Sequence, residues 1–104
     1  MTYKLYVKMT NSALRKGYSD FTTDIPGDLD FIRFWCHRTY FRNPELRSRY
    51  YSVEIYDGKK HVGAVFPARD KNKKLYTAYS VGSSIRDIKT YRFDKDTGKL
   101  MGRA

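Results

Sequence analysis

The segment that decides the fold is residues 28–44, which read DLDFIRFWCHRTYFRNP. Asp28 is a favourable N-cap, and Asp30 places negative charge in the first turn, where it interacts favourably with the helix dipole. A proline disfavours helical geometry at the residue before it, so Pro44 marks the end of the segment. The sequence therefore predicts one main helix from about Leu29 to Phe41 or Arg42.

This helix is apolar on nearly every side. At about 100° per residue, one stripe contains Leu29, Ile32, Cys36 and Tyr40. A second arc beside and opposite it contains Phe31, Phe34, Trp35, Arg38, Phe41 and Arg42. One sheet face covers only one of these surfaces, so the second arc needs another cover. Three covers remain open: the segment at residues 10–27 folding back, a second copy of the chain, or a ligand stacked on the rings.

The strands on either side of the helix are predicted from period-two alternation. Residues Tyr3–Met9 alternate lysine or tyrosine with apolar side chains, which predicts a half-buried first strand with its odd-numbered residues inside. Residues 10–27 are polar and rich in turn formers, so they predict a connecting loop. After Pro44 the chain becomes strand-like, and Tyr51–Tyr56 alternate up to Asp57-Gly58, a strong hairpin signal. With those two residues as the turn, Val53 faces Val62 and Glu54 faces His61.

Further strands complete an antiparallel sheet. Residues 75–81 and 89–94 alternate, and Asp96-Thr97-Gly98 turns the second of these strands into a terminal hairpin. Ser84 and Asp87 form a weak capping box, which could start a short helical turn between the two strands. The order β-α-β-β-β, with the terminal hairpin added, predicts an α+β fold. We expect a single domain over residues 1–104, with a mostly antiparallel, twisted sheet and one main helix on one face.

The balance of charge indicates an anionic partner. Lysine and arginine number 21 against 11 aspartates and glutamates, which gives a net charge of +10. Such an excess is typical of proteins that bind nucleic acid or a nucleoprotein complex, although it can also serve solubility or attraction to another anionic surface. Guanidinium groups can chelate phosphate oxygens, and flat rings can stack on bases.

The candidate nucleic-acid-binding residues fall into two groups. Arg47 and Arg49 follow the predicted helix end, where long charged side chains are normally exposed. The predicted phosphate contacts are Arg38, Arg42, Arg47, Arg49, Arg69, Lys71, Lys73 and Lys74. The predicted stacking or interface residues are Phe31, Phe34, Trp35, Phe41 and Tyr50.

Two other functions fit the same composition. The aromatic arc could anchor a protein partner, which would make the chain an accessory or inhibitor module of a nucleoprotein machine. A small basic ribonuclease would need a general base, for which His61 with Glu54 beside it is the candidate pair. Self-association as a homodimer, through the second arc or a free sheet edge, would be compatible with each of these functions.

The motifs that the chain lacks favour a non-enzymatic protein. It contains no Walker A loop, no GxGxxG, GxSxG or HExxH motif and no paired CxxC, so we expect no cofactor and no metal. Cys36 and His37 are adjacent in a helix and point about 100° apart, which makes a shared metal unfavourable. A single cysteine excludes an intramolecular disulfide and favours the reducing cytoplasm. No stretch approaches the roughly 20 apolar residues of a membrane span.

Overall fold

The computed structural model describes residues 1–82 and 87–103. Its main element is one seven-stranded antiparallel sheet with strand order β2-β1-β3-β4-β5-β6-β7. The strands are β1 (Thr2–Met9), β2 (Phe21–Pro26), β3 (Tyr50–Asp57), β4 (Lys60–Arg69), β5 (Leu75–Val81), β6 (Lys89–Phe93) and β7 (Leu100–Arg103). The helices are α1 (Asn11–Arg15), α2 (Leu29–Cys36), a π-helix (His37–Phe41) and α3 (Pro44–Arg49). The α+β fold with an antiparallel sheet is confirmed, whereas the helical turn predicted at Ser84 lies outside the described residues.

The core lies between one face of the sheet and the continuous helical segment formed by α2 and the π-helix. Leu5 and Val7 of β1 are fully buried, as the alternation predicts, and they pack in one cluster with Ile32 and Cys36 of α2. Val53, Ile55 and Val65 from the neighbouring strands complete the centre of this cluster. The free edges of the sheet are β2 and β7, and the predicted homodimer stays a prediction.

The predicted main helix is present, but its last five residues form the π-helix. A π-helix bonds residue i to i+5, so each residue turns through a smaller angle than in an α-helix. Side chains after Cys36 are therefore rotated away from the positions that a 100° step predicts. Phe41 is 0% exposed and belongs to the core cluster, so its prediction as a stacking or interface residue was wrong. Phe31 is exposed, while Phe34 and Trp35 are half-buried.

The predicted loop at residues 10–27 was wrong, because this segment forms both α1 and β2. Thr10 caps α1, with its Oγ1 accepting a hydrogen bond from the Ala13 amide at 3.2 Å. β2 pairs along β1 from Thr2↔Pro26 to Val7↔Phe21, and a terminal proline is tolerated on such an edge strand. The Phe21 ring packs edge-on against Tyr40, with 6.3 Å between ring centres. The segment therefore extends the sheet and contacts the buried stripe of the helix.

A second short helix, α3, was not predicted from the sequence. Asn43 is its N-cap, with Oδ1 accepting from the Leu46 amide at 2.9 Å, and Pro44 occupies the first helical position. This Asn-Pro pair was interpreted only as a stop signal, although proline is well suited to a helix start. Arg47 and Arg49 consequently lie on a helix and are half-buried, which corrects the expectation that both are exposed.

The hairpin of β3 and β4 forms with a different register from the predicted one. Gly58 and Lys59 occupy the turn, and a bulge beyond Tyr56↔His61 shifts the pairing so that Val53 faces Val65 and Ile55 faces Gly63. A bulge adds one residue to one strand, which pattern alone does not reveal. Gly63 is needed there because an added Cβ would lie 2.5 Å from the Tyr79 hydroxyl oxygen.

The predicted terminal hairpin is present and is fastened to α2. The turn between β6 and β7 closes with the Gly98 amide donating to the Asp94 carbonyl at 2.7 Å. Arg33, only 4% exposed, donates from Nε to the Gly98 carbonyl at 2.7 Å and pairs with Asp30. The Arg33 guanidinium also lies over the Tyr79 ring, 4.8 Å from its centre. Arg33 thus joins helix, sheet and terminal turn.

Candidate functional site: a basic cleft at one end of the sheet

One end of the sheet is rich in exposed positive charge. Because every neighbouring pair of strands is antiparallel, the ends of β4 and β6 and the starts of β5 and β7 lie together. Helix α3 and the turns at residues 70–74 and 94–99 lie at this end, which we call the basic end. Its exposed cations are Arg42, Arg69, Lys71, Lys73, Lys74, Lys95 and Lys99.

A cleft of about 510 Å³ opens at the basic end and is called here the basic cleft. The π-helix and α3 form one wall, and β5, β6 and the terminal hairpin form the others. Four cations line it, namely Arg42, Arg47, Arg92 and Lys95, against the two carboxylates of Asp94 and Asp96. Its apolar and aromatic lining consists of Leu75, Tyr76, Phe93 and Met101. The cleft therefore combines an excess of positive charge with an apolar surface.

His37, at the start of the π-helix, is a half-buried group in this cleft. Its Nδ1 lies 2.7 Å from the Thr77 hydroxyl oxygen of β5, which fixes the ring against the sheet. Burial lowers the pKa of His37 below its usual value, and the nearby cations Lys95 and Arg47 add to this effect, while Asp96 opposes it. His37 is thus uncharged at neutral pH. π-Helical turns occur frequently at functional sites, and this one places His37 on the cleft wall.

Arg47 is held in place by the end of the π-helix. Its Nη1 donates to the Phe41 carbonyl at 3.0 Å, which satisfies an acceptor that the helix end leaves open. Its Nε is buried and has no hydrogen-bond partner among the described residues. Arg47 also lines a second cleft of about 340 Å³ together with Lys8, Tyr50 and Tyr51. A guanidinium held in place in this way is suited to bind an anionic oxygen.

Arg92 connects the basic cleft with the basic turn at residues 70–74. Its guanidinium carbon lies 3.8 Å from the centre of the Tyr76 ring, and its Nη2 lies 3.5 Å from Asp70 Oδ2. Asp70 also shapes the turn, since its Oδ1 accepts hydrogen bonds from the amides of Asn72 and Lys74. The exposed lysines of this turn are therefore held beside the cleft.

The structure brings together only some of the predicted phosphate contacts. Arg42 and Arg47 line the basic cleft, and Lys71, Lys73 and Lys74 are exposed on the turn beside it. Arg69 lies at the base of the same turn and donates to the Lys73 carbonyl at 2.9 Å. The other two lie elsewhere: Arg38 is exposed over the Phe34 ring, and Arg49 lies over the Tyr18 ring, 4.8 Å from its centre.

The predicted stacking residues do not line the basic cleft. Phe31 and Phe34 contact each other, with 6.2 Å between ring centres, and Trp35 packs edge-on against Tyr40 at 5.5 Å. Tyr50 also packs against Tyr40, at 4.7 Å, although it lines the second cleft. The aromatic residues of the cleft are instead Tyr76 and Phe93, which were not selected from the sequence.

The other groups considered from the sequence, the His61–Glu54 pair and Cys36, lie outside the basic cleft. His61 Nε2 lies 3.0 Å from Glu54 Oε1, but this exposed pair lies on the β3–β4 hairpin and lines no part of the basic cleft. Burial raises the pKa of the Cys36 thiol, which keeps it protonated. Within residues 1–82 and 87–103, no cluster of three His, Cys, Asp or Glu side chains could hold a metal. No helix in the described part of the chain is long and apolar enough to cross a membrane.

Comparison of the chain with protein-family models, with curated proteins and with solved structures gave no match. Its function is therefore inferred from the residues and geometry of the basic end.

The pKa of His37 leads to a testable pH dependence. A phosphate bound in the cleft would favour the protonated imidazole, so the pKa of His37 should be higher in the complex than in the free protein. Affinity for an oligonucleotide should then rise as pH falls from about 7 to about 5.5, because phosphodiesters keep their charge across this range. Fluorescence anisotropy at constant ionic strength measures this.

A His37→Gln variant keeps a polar group near Thr77 and should lose most of the pH dependence. A His61→Gln variant should retain it, because His61 lies outside the cleft. Equal pH dependence in all three proteins would exclude His37 from the binding site.

Proposed function

We propose that this chain is a small non-enzymatic protein that binds nucleic acid, free or within a nucleoprotein complex, through its basic end. The observation that carries the proposal is the convergence of Arg42, Arg47, Arg92 and Lys95 on one cleft. Phosphate groups are the natural partners of such a cluster, since guanidinium groups bind them in a bidentate manner.

The surface around the cleft favours a polymeric anion over a small one. The exposed lysines at residues 71–74 continue the positive charge beyond the cleft, and the Asp70 to Arg92 contact keeps this turn beside it. A single phosphate bound in the cleft would not reach the turn, whereas a nucleic-acid backbone presents phosphates at both places. The basic end therefore fits a backbone that enters or leaves the cleft past the turn.

The test is a pair of double variants with the same loss of charge. Arg42→Ala with Lys95→Ala removes two exposed cations of the cleft, and Lys59→Ala with Lys60→Ala removes two exposed cations from the opposite end of the sheet. The cleft variant should lose roughly tenfold or more in affinity for a mixed-sequence oligonucleotide. Its slope of log affinity against log salt should fall by roughly 0.7 to 0.9 for each phosphate that the variant no longer binds.

The control variant should bind nearly as well as the native protein. Equal losses in the two variants would mean that net charge alone attracts nucleic acid, and would remove the cleft from the proposal. Circular dichroism of each variant confirms that the fold is retained.

A further inference from the structure

We infer that the basic cleft receives one unpaired nucleotide, so that the protein prefers single-stranded nucleic acid to a duplex. This inference rests on the proposed function and adds to it the strand state of the ligand. It is carried by three features of the cleft: its size, its exposed apolar walls and its carboxylates.

The size of the cleft suits a single nucleotide. Pockets for small ligands typically enclose about 300 to 1,000 Å³, and the basic cleft, at about 510 Å³, falls within this range. A duplex keeps its base faces stacked inside and offers mainly phosphates and groove edges to a protein. Only an unpaired or flipped nucleotide can insert both its base and its phosphate into a concavity of this kind.

The apolar walls of the cleft have no use in phosphate binding alone. Leu75 is 42% exposed and Met101 is 69% exposed, and both line the cleft beside its cations. The face of a base would cover these side chains and remove them from water. The Arg92 guanidinium, stacked 3.8 Å from the centre of the Tyr76 ring, adds a second flat surface on which a base can lie.

The carboxylates point to the same ligand. Asp94 and Asp96 would repel a phosphate, so their presence among four cations suggests that part of the cleft faces something other than a phosphate. A carboxylate accepts hydrogen bonds from the amino groups of bases, and both N–H donors of such an amino group are free only when the base is unpaired. Asp94 Oδ1 already accepts hydrogen bonds from the Asp96 and Thr97 amides. The acceptors proposed for the amino group of a base are therefore Asp94 Oδ2 and the carboxylate of the exposed Asp96.

The experiment compares a labelled mixed-sequence single strand of about 16 nucleotides, as DNA and as RNA, with its blunt duplex at equal salt. The single strand should bind roughly tenfold more tightly or better, because its bases are free to stack in the cleft. The Leu75→Ala, Met101→Ala double variant should lose much of this preference while keeping its duplex affinity. Both side chains are exposed enough for the fold to tolerate their loss. Leu14→Ala, at an apolar position 46% exposed on α1, is the matched control and should change nothing.

The failures of the two proposals are distinguishable. If the duplex binds as tightly as the single strand or more tightly, this inference is overturned. The proposed function still stands in that case if binding depends steeply on salt and the Arg42, Lys95 double variant weakens this dependence. A preference for single strands that the Leu75, Met101 variant fully retains would also overturn it, because the base would then lie outside the cleft. Absence of binding to every nucleic acid tested would overturn both.

Discussion

Replacing Gly98 with alanine is expected to lower the free energy of unfolding by about 3 kcal/mol or more. Gly98 has φ +77°, a left-handed conformation that costs a residue with a Cβ roughly 1 to 2 kcal/mol. In addition, the new Cβ would overlap the carbonyl oxygen of Asp30 and lie 2.7 Å from its carbonyl carbon. Backbone atoms in the first turn of α2 cannot move aside as a flexible side chain does. The terminal turn must therefore shift away from the helix.

Gly58→Ala is the matched control for this prediction. Gly58 has a similar φ of +61°, but nothing lies within 4 Å of the added Cβ. Only the conformational cost remains, about 1 kcal/mol. Urea unfolding followed by circular dichroism gives both values. Equal losses in the two variants would show that the terminal turn does not pack on α2 as described.

Arg33→Ala is expected to destabilise the protein by about 3 kcal/mol, although it removes a charge from a strongly basic chain. The guanidinium is almost wholly buried, donates to the Gly98 carbonyl, pairs with Asp30 and lies over the Tyr79 ring. Truncation leaves the Gly98 carbonyl unsatisfied and opens a cavity beside Tyr79. Differential scanning calorimetry or urea unfolding measures the loss.

Arg38→Ala changes the net charge by the same amount on the same helical segment, but Arg38 is exposed. It should alter stability by less than about 0.5 kcal/mol. Comparable losses in the two arginine variants would contradict the structural role of Arg33.

These two positions should also affect the proposed binding, because they hold one wall of the basic cleft. Asp94, Lys95 and Asp96 belong to the terminal turn that Arg33 and Gly98 fasten to α2. A shifted turn would move Lys95 away from Arg42 and Arg47 across the cleft. If a folded Arg33→Ala protein binds nucleic acid more weakly, the loss is therefore due to the displaced terminal turn, because Arg33 itself is buried.

The sequence predicted those parts of the fold that depend on local pattern. Asp28 and Pro44 mark the limits of the main helix, because caps and prolines act on their nearest neighbours. The alternation in β1 identified the buried face because that strand has one side in the core. The β3–β4 register was missed because the turn lies at Gly58 and Lys59, one residue later than predicted, and because a bulge then adds a further residue to β4.

The candidate site was predictable only in part, for a similar reason. Arg42 and Arg47 were selected as phosphate contacts because they lie close together in a segment of the sequence that is rich in positive charge. Arg92, Lys95 and His37 were not selected, because the antiparallel pairing of β5 with β6 and the packing of His37 against Thr77 of β5 bring them together. The aromatic residues near the arginines in sequence were misleading, since Phe41 and Trp35 pack inside the protein or against Tyr40.

The most direct test of the central claim is a map of amide chemical shifts in a ¹⁵N-labelled protein titrated with a single-stranded oligonucleotide. We predict that the largest changes fall on His37, Thr77, Arg92 and Lys95, around the basic cleft. The β3–β4 turn at Gly58 and Lys59, at the opposite end of the sheet, should be unaffected. Shifts centred on Phe31 and Phe34, or the absence of any localised change during the titration, would contradict the account.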